Sequence, residues 1–198
     1  QGYKVALLCQ PAWDKPEDFA ELGKPRLGVL ISGGNLDSML CHYTAAKNPR
    51  SVDKYTAGGA VGQRPDHATM VYAQMVKRLW PHVPVIIGGI EASLRRFVHF
   101  DYWENKLLPS ILESSHADLL VYGMGEKQIV EIADYLAGGA SMEDMRYIRG
   151  TAYACDELPE GQEYVKLPGW KAIRDDKKFF AQAYHLQSRE QDPFYGKP

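Results

Sequence analysis

Glu91, Ser93, Arg95, Arg96, His99 and Asp101 follow an apolar run that ends in two glycines, Val85-Ile86-Ile87-Gly88-Gly89. Such a run delivers the carboxyl end of a buried parallel strand to the place where an open α/β sheet sets its ligands. Glycines there let the backbone turn sharply and a partner come close. Arg95 and Arg96 offer forked donors that fit a carboxylate or a phosphate, with Glu91 and Ser93 beside them. The competing reading is a tight strand-to-helix turn with a solvated face beyond it. His99 and Asp101 are two apart, so on a helix they do not share a face and no His–Asp dyad is expected. Four aromatics between Phe97 and Trp103 suit an interface, a ligand wall or a core helix with a polar outer face.

Two more glycine turns carry candidate chemistry. Ser32-Gly33-Gly34-Asn35-Leu36-Asp37-Ser38 resembles the SGGxDS loop of PP-loop ATP pyrophosphatases, where backbone amides at a helix N-terminus cradle pyrophosphate. One residue too many separates Gly34 from Asp37, which re-aims every amide of so tight a loop. The alternative is a strand-to-helix turn capped by Asn35 or Asp37. Gly123-Met124-Gly125-Glu126 is the third turn, with Glu126 in the first turn of a helix, where the macrodipole favours a carboxylate. The loop Gly58 to Asp66 offers an anion clamp through Arg64, a lid, or simply a long connection. His42, His67, His82, His116 and His185 are scattered without metal-site spacing and read as surface or cap residues.

These residues must be held by alternating strands and helices. Strands are expected over Tyr3 to Gln10, Leu27 to Ile31, Val83 to Ile87, Asp118 to Tyr122 and Arg146 to Tyr153. Helices are expected over Asp37 to Ala46, from Asp66 as N-cap to Pro81, irregularly over Leu94 to Ser114, from Ile129 to Ala137, and over Trp170 to Glu190. The strands are short continuous apolar runs, so the fold class is α/β: a three-layer, mostly parallel, doubly wound sheet, flavodoxin-like or cobalamin-binding-domain-like. A Rossmann-type strand order is the alternative. The three glycine turns then share one edge.

Composition limits the rest. Of 198 residues 45% are apolar, enough for a core, and a net charge of -2 gives no field to draw nucleic acid or an anionic membrane. No apolar run is long enough to span a bilayer. Cys9, Cys41 and Cys155 are odd in number and far apart, which fits reduced thiols in a cytoplasmic protein, and without metal-site spacing they read as core residues rather than ligands. Gly2, followed at once by an apolar run, reads as the end of an upstream helix, and 192–198 reads as a linker to a further domain.

Several runs together resemble the N-terminal domain of the YgiQ-type radical SAM proteins, a large uncharacterised family: GNLDSM (34–39), KYTAGG (54–59), RPDHATMVYAQ (64–74), IGGIEASLRRFVHFDYW (87–103), SSHADLLVYGMGE (114–126) and EQDP (190–193). The strand ends also resemble, more distantly, the cobalamin-binding-like N-terminal domains of radical SAM enzymes. The resemblance implies a radical SAM core after residue 198, with a 4Fe-4S cluster on a C-x-x-x-C-x-x-C loop and SAM on the open iron. Cys9, Cys41 and Cys155 do not form that loop, so cluster and SAM fall outside this chain. The cobalamin signature D-x-H-x-x-G is missing here. The implied layout is an α/β domain over 1–167, whose first strand and helix precede residue 1, and a helical linker over 168–198. Such a domain is non-catalytic. It packs on the core of the same polypeptide and contributes to binding a substrate or a cobalamin-like cofactor through Asn35, Asp37, Gly88, Gly89, Glu91, Ser93, Arg95, Arg96, His99, Asp101, Gly123 and Glu126. The alternatives are a nucleotide-binding enzyme using Ser32 to Ser38 and a purely structural interaction domain.

Overall fold

A computed structural model describes residues 2–158, 161, 163–192, 194 and 196. Pro193, the last residue of the EQDP run, and Tyr195, Lys197 and Pro198 of the expected linker lie outside the described residues. In chain order the strands are β1 (Val29–Ser32), β2 (Val85–Gly88), β3 (His99–Asp101), β4 (Lys106–Leu108), β5 (Leu119–Val121) and β6 (Thr151–Ala152). The helices are α1 (Pro16–Ala20), α2 (Ser38–His42), α3 (Ala68–Leu79), α4 (Gly89–Leu94), α5 (Ile111–Ser115), α6 (Glu126–Ala137), α7 (Trp170–Asp175) and α8 (Lys177–Glu190). The chain divides into two compact units, 1–97 with 110–156, and 98–109 with 157–198.

The first unit holds a four-stranded sheet in the order β1-β2-β5-β6. β1, β2 and β5 run parallel, with Ile31 opposite Ile87 and Ile87 opposite Leu120. One face buries Ile31, Val85, Ile87 and Leu120 under Ala68, Tyr72, Ala73 and Val76 of α3, Ile111 and Leu112 of α5, and Phe19 of α1. The other buries Ile86, Leu119 and Val121 under Ile132 of α6, Met145 and Ile148. This is the expected mostly parallel, three-layer α/β arrangement. The period of α3 follows its apolar stripe, and α6 ends at Gly138, the first of the pair Gly138-Gly139 that closes it.

Several elements differ from the sequence reading. Tyr3 to Gln10 forms no strand: Val5 and Leu7 are 87% and 83% exposed, and a ladder needs a neighbour that this run does not find among the described residues. The fifth strand shrinks to β6, antiparallel to β5, because Arg146 and Tyr147 close a 3-10 turn and Gly150 bends the chain just before it. α2 stops at His42, where Tyr43 goes extended and bridges to Pro49. The N-cap of α3 is His67, in the left-handed region, not Asp66. Asp66 instead accepts hydrogen bonds from His42 Nδ1 at 2.7 Å and Tyr43 Oη at 2.8 Å, so His42 is mostly buried rather than a free surface residue.

The stretch Leu94 to Ser114 is not one irregular helix. α4 begins earlier, at Gly89, and α5 is separate. Between them β3 and β4 form an antiparallel hairpin with Asp101 opposite Lys106, turned at Asn105 with positive φ. Aromatic and β-branched residues at 97–100 favour this pleated form. The second unit contains the hairpin, α7 and α8. The expected single helix over Trp170 to Glu190 breaks at Asp176, which is extended and caps α8 by accepting from Lys178 N. No helix among the described residues is long and apolar enough to cross a membrane.

The long connection from α2 to α3 is anchored by a buried ion pair. Arg64 donates to Asp53 Oδ2 through Nη2 at 2.6 Å and Nε at 3.2 Å, and through Nη1 to the Gly33 carbonyl at 3.2 Å. Burial alone would raise the Asp53 carboxyl. Arg64, the Tyr55 amide and the Thr56 hydroxyl outweigh it and hold the group below the usual aspartate range. The pair therefore contributes stability above the unfolded aspartate value of about 3.9, and that contribution is lost as pH falls through the lower folded value. Asp53→Asn leaves the buried guanidinium uncompensated and is expected to lower stability by about 3–5 kcal/mol at pH 7. Urea unfolding of both proteins at pH 7 and at pH 3 checks this: the gap should narrow at the lower pH.

Candidate functional site

β1, β2 and β5 are parallel neighbours, so their carboxyl ends and the three glycine turns emerge along one edge. The turns touch. Gly89 has φ of +79°, and a Cβ there would lie 2.8 Å from Ser32 Oγ. Gly33 has Glu91 Oε2 and Thr69 Oγ1 at 2.8 and 3.0 Å from the place of its missing Cβ. Ser93 Oγ donates to the Gly89 carbonyl at 2.8 Å and accepts from Gly123 N at 3.4 Å, tying the second turn to the third.

Glu91 is buried at the centre. Its Oε2 accepts from Ser38 N at 2.8 Å and its Oε1 from Thr69 N at 2.9 Å, so one carboxylate caps both α2 and α3. Ser38 Oγ adds a bond from Ala68 N at 3.1 Å. Asp37 accepts from Met39 N at 2.9 Å with one oxygen and pairs with Arg95 through the other. Negative groups at two helix N-termini satisfy amides the helices cannot use themselves. Behind them, burial pushes the Tyr72 hydroxyl up to about 12, with Arg64 opposing the shift and Glu91 adding to it.

This arrangement decides what the edge does chemically. The α2 amides that would cradle a phosphate in a PP-loop are occupied by Glu91 and Asp37. Arg64 is turned inward to Asp53, so the loop from Gly58 to Asp66 is no anion clamp. Glu91 and Arg95 are likewise engaged with the protein's own groups. Asn35, Gly89, Gly123 and Glu126 stay exposed, with Gly88, Ser93 and Arg96 half-buried. The Arg96 guanidinium lies over the Phe97 ring at 4.9 Å and the Tyr122 ring at 5.1 Å, and donates to the Ser93 carbonyl at 2.6 Å. Ile90, Leu94, Phe97, Tyr122 and Met124, on the turns and helix that follow β2 and β5, are exposed large apolar residues.

His99 and Asp101 belong to the second unit. They sit on β3, where alternate residues share a face, so the helical argument that separated them does not hold. Asp101 is buried and accepts from Glu104 N at 2.8 Å in the hairpin turn. Among the described residues no group of three His, Cys, Asp or Glu side chains is placed to hold a metal ion. Cys9, Cys41 and Cys155 are free thiols; Cys41 is buried as a core residue, whereas Cys9 and Cys155 are exposed and do not join the core. Sequence reasoning missed Ser38 and Thr69 as partners of Glu91, and Asp53 as partner of Arg64. The Glu91 partners come from segments 53 and 22 residues away, whereas Asp53 and Arg64 lie 11 apart in one loop, and only Glu91's place after the glycine pair gave a signal.

A family model described as "Radical SAM N-terminal" matches residues 1–198. A UPF0313 protein of Clostridium perfringens (strain 13 / Type A) is 51% identical over 197 residues, covering 99% of this chain and 30% of its own length. A UPF0313 protein of Clostridium botulinum (strain ATCC 19397 / Type A) is 46% identical over 197 residues, again covering 30% of that protein. The chain thus spans less than a third of the length of these curated relatives. No solved structure matches it.

Glu91→Gln replaces one accepting oxygen by a donor that faces an amide donor. It is expected to lower stability by about 1–3 kcal/mol, the penalty of one buried unsatisfied group. Gly33→Ala forces a methyl against Glu91 and Thr69 and is expected to cost about 1–3 kcal/mol through overpacking. Urea midpoints measure both; changes within the scatter of surface variants would show that the cap does not hold the edge together.

Proposed function

The chain belongs to the radical SAM N-terminal family, and on that premise we propose that it is a non-catalytic domain that docks its strand-end edge on the catalytic core of a longer radical SAM enzyme. The observation that carries this reading is the character of the edge. Its strongest polar groups, Glu91, Asp37, Arg95 and Arg64, are engaged internally. Beside the exposed Asn35 and Glu126, its outward surface is rich in apolar and aromatic side chains: Ile90 and Leu94 one helical turn apart, Phe97, Tyr122 and Met124. Exposed apolar surface framed by polar residues suits a protein interface better than a small charged ligand. Arg96, stacked between two rings, is a natural anchor there.

The 4Fe-4S cluster and SAM are assigned to the core. The donor set here supports that placement, since three cysteines spread over 9, 41 and 155, one of them buried, do not fit a cluster loop. The three turns supply no histidine as a lower ligand for cobalamin, and the α2 and α3 N-termini are filled by carboxylates, so these residues offer it no support. Asn35, Ser93, Arg96, Gly123 and Glu126 are the residues we assign to contact with the core or with a substrate held against it. Free thiols and the balanced charge support a cytoplasmic location.

In the full-length enzyme, Leu94→Asp with Met124→Asp is expected to loosen the domain and to reduce SAM cleavage by roughly tenfold, the scale of losing a central interface contact. Hydrogen exchange at 90–97 and 122–124 should rise in parallel. Unchanged exchange and unchanged cleavage would count against the docking role. Isothermal titration with ATP is expected to show no binding; micromolar binding abolished by Gly34→Trp would favour the nucleotide-binding alternative.

A further inference from the structure

Asp66 does not cap α3. It lies two residues before Ala68, and His67 between them takes a left-handed backbone with φ of +52°. A residue with a side chain adopts that conformation at a cost, and such strain collects where a group is being positioned. The Asp66 carboxylate turns to two side chains instead. Its Oδ1 lies 2.7 Å from His42 Nδ1, and its Oδ2 accepts from Tyr43 Oη at 2.8 Å. A carboxylate only accepts, so the hydrogen of the neutral imidazole sits on Nδ1 and the free lone pair on Nε2. The bond to Asp66 also raises the Tyr43 hydroxyl above its ordinary value, which keeps it a donor. Nε2 of His42 is buried and has no partner among the described residues.

Holding α2 does not require that nitrogen. The end of the helix is closed by Tyr43 N on the Met39 carbonyl and by Arg50 Nε on the carbonyls of Leu40 and Tyr43. A buried acceptor without a donor is unfavourable, and an incoming O–H or N–H removes that cost. A carboxylate that fixes one ring nitrogen and leaves the other open is how a histidine is oriented toward a ligand. The place suits one. Five helical residues make α2 about 7.5 Å long. Its first amide, Ser38 N, bonds to Glu91, as does the Thr69 amide three residues after Asp66. The cluster therefore stands beside the carboxyl edge. The Asp66 side chain is 44% exposed and that of His42 11%, so the ring lies just beneath the surface. We infer that His42 Nε2 is an acceptor site for a small ligand that presents a hydroxyl or amino hydrogen, with Asp66 and Tyr43 as its positioning residues. The inference does not rest on the docking reading.

Exchange of the imidazole Cε1 hydrogen, followed by mass spectrometry on the full-length protein, reads His42 apart from the other histidines. Phenol supplies an O–H donor, and anisole the same ring without one. Phenol is expected to slow exchange at His42 by about twofold at half-saturation. His82 and His116 should not change, and anisole should have no effect. Slowing by both compounds, or by neither, overturns the inference. His42→Asn keeps a donor where Nδ1 stood and lacks Nε2, so its thermal midpoint is expected to stay at the wild-type value. A midpoint as low as that of Asp66→Ala shows the ring to be an internal latch and overturns the site as well. Backbone exchange at 90–97 and 122–124 reports the docking edge separately, so either reading can fail alone.

Discussion

A buried carboxylate between two helix N-termini holds this fold together. Glu91 leaves the end of β2 and is bonded at once to the first turns of α2 and α3. A lone carboxylate in such a place would be strongly unfavourable. Two backbone amides and the positive ends of two helices make it favourable instead. The bond pattern explains why residue 33 is glycine: there is no room for a methyl beside Glu91 Oε2 and Thr69 Oγ1. It also explains why α2 persists with only five residues, far below the length at which a helix is stable alone.

The same constraint shapes the surface. At α2 and α3 the amides that another α/β protein would offer to a phosphate are consumed inside this one. Asp37 and Arg95 neutralise each other, as do Asp53 and Arg64. What remains outward on the carboxyl edge is largely apolar and aromatic, with Asn35 and Glu126 among its exposed polar residues and Arg96 lodged over Phe97 and Tyr122. Polar groups thus build the edge, and apolar groups face whatever meets it. A ligand-binding edge would show the reverse, with engaged apolar residues below and free polar groups above.

Where one local rule governed, the sequence was readable. The apolar runs of β1, β2 and β5, the stripe of α3 and the glycine pair after α6 follow from period and turn chemistry alone. The shared edge followed from the parallel order. Features set by distant partners were not legible. The run 3–10 has strand composition but finds no ladder. Asp66 resembles an N-cap but is drawn away by His42 and Tyr43. Glu91 and Arg95 carry the signature of a ligand site, yet their partners, Ser38, Thr69 and Asp37, come from segments tens of residues away. The segment 97–108 failed for a different reason: a short alternating run and an irregular helix have similar composition, and Asn105, a residue type suited to the positive φ of the turn, was the signal left unread.

β1 bears the Ser32 to Asp37 loop at its carboxyl end, and its far side is unpaired among the described strands. Because β1, β2 and β5 run parallel, the three glycine turns leave the sheet at one edge, and the chain after β1 adds the exposed Leu36 and Leu40 to the apolar residues there. The shared edge and its apolar side chains are on this view two consequences of one parallel topology.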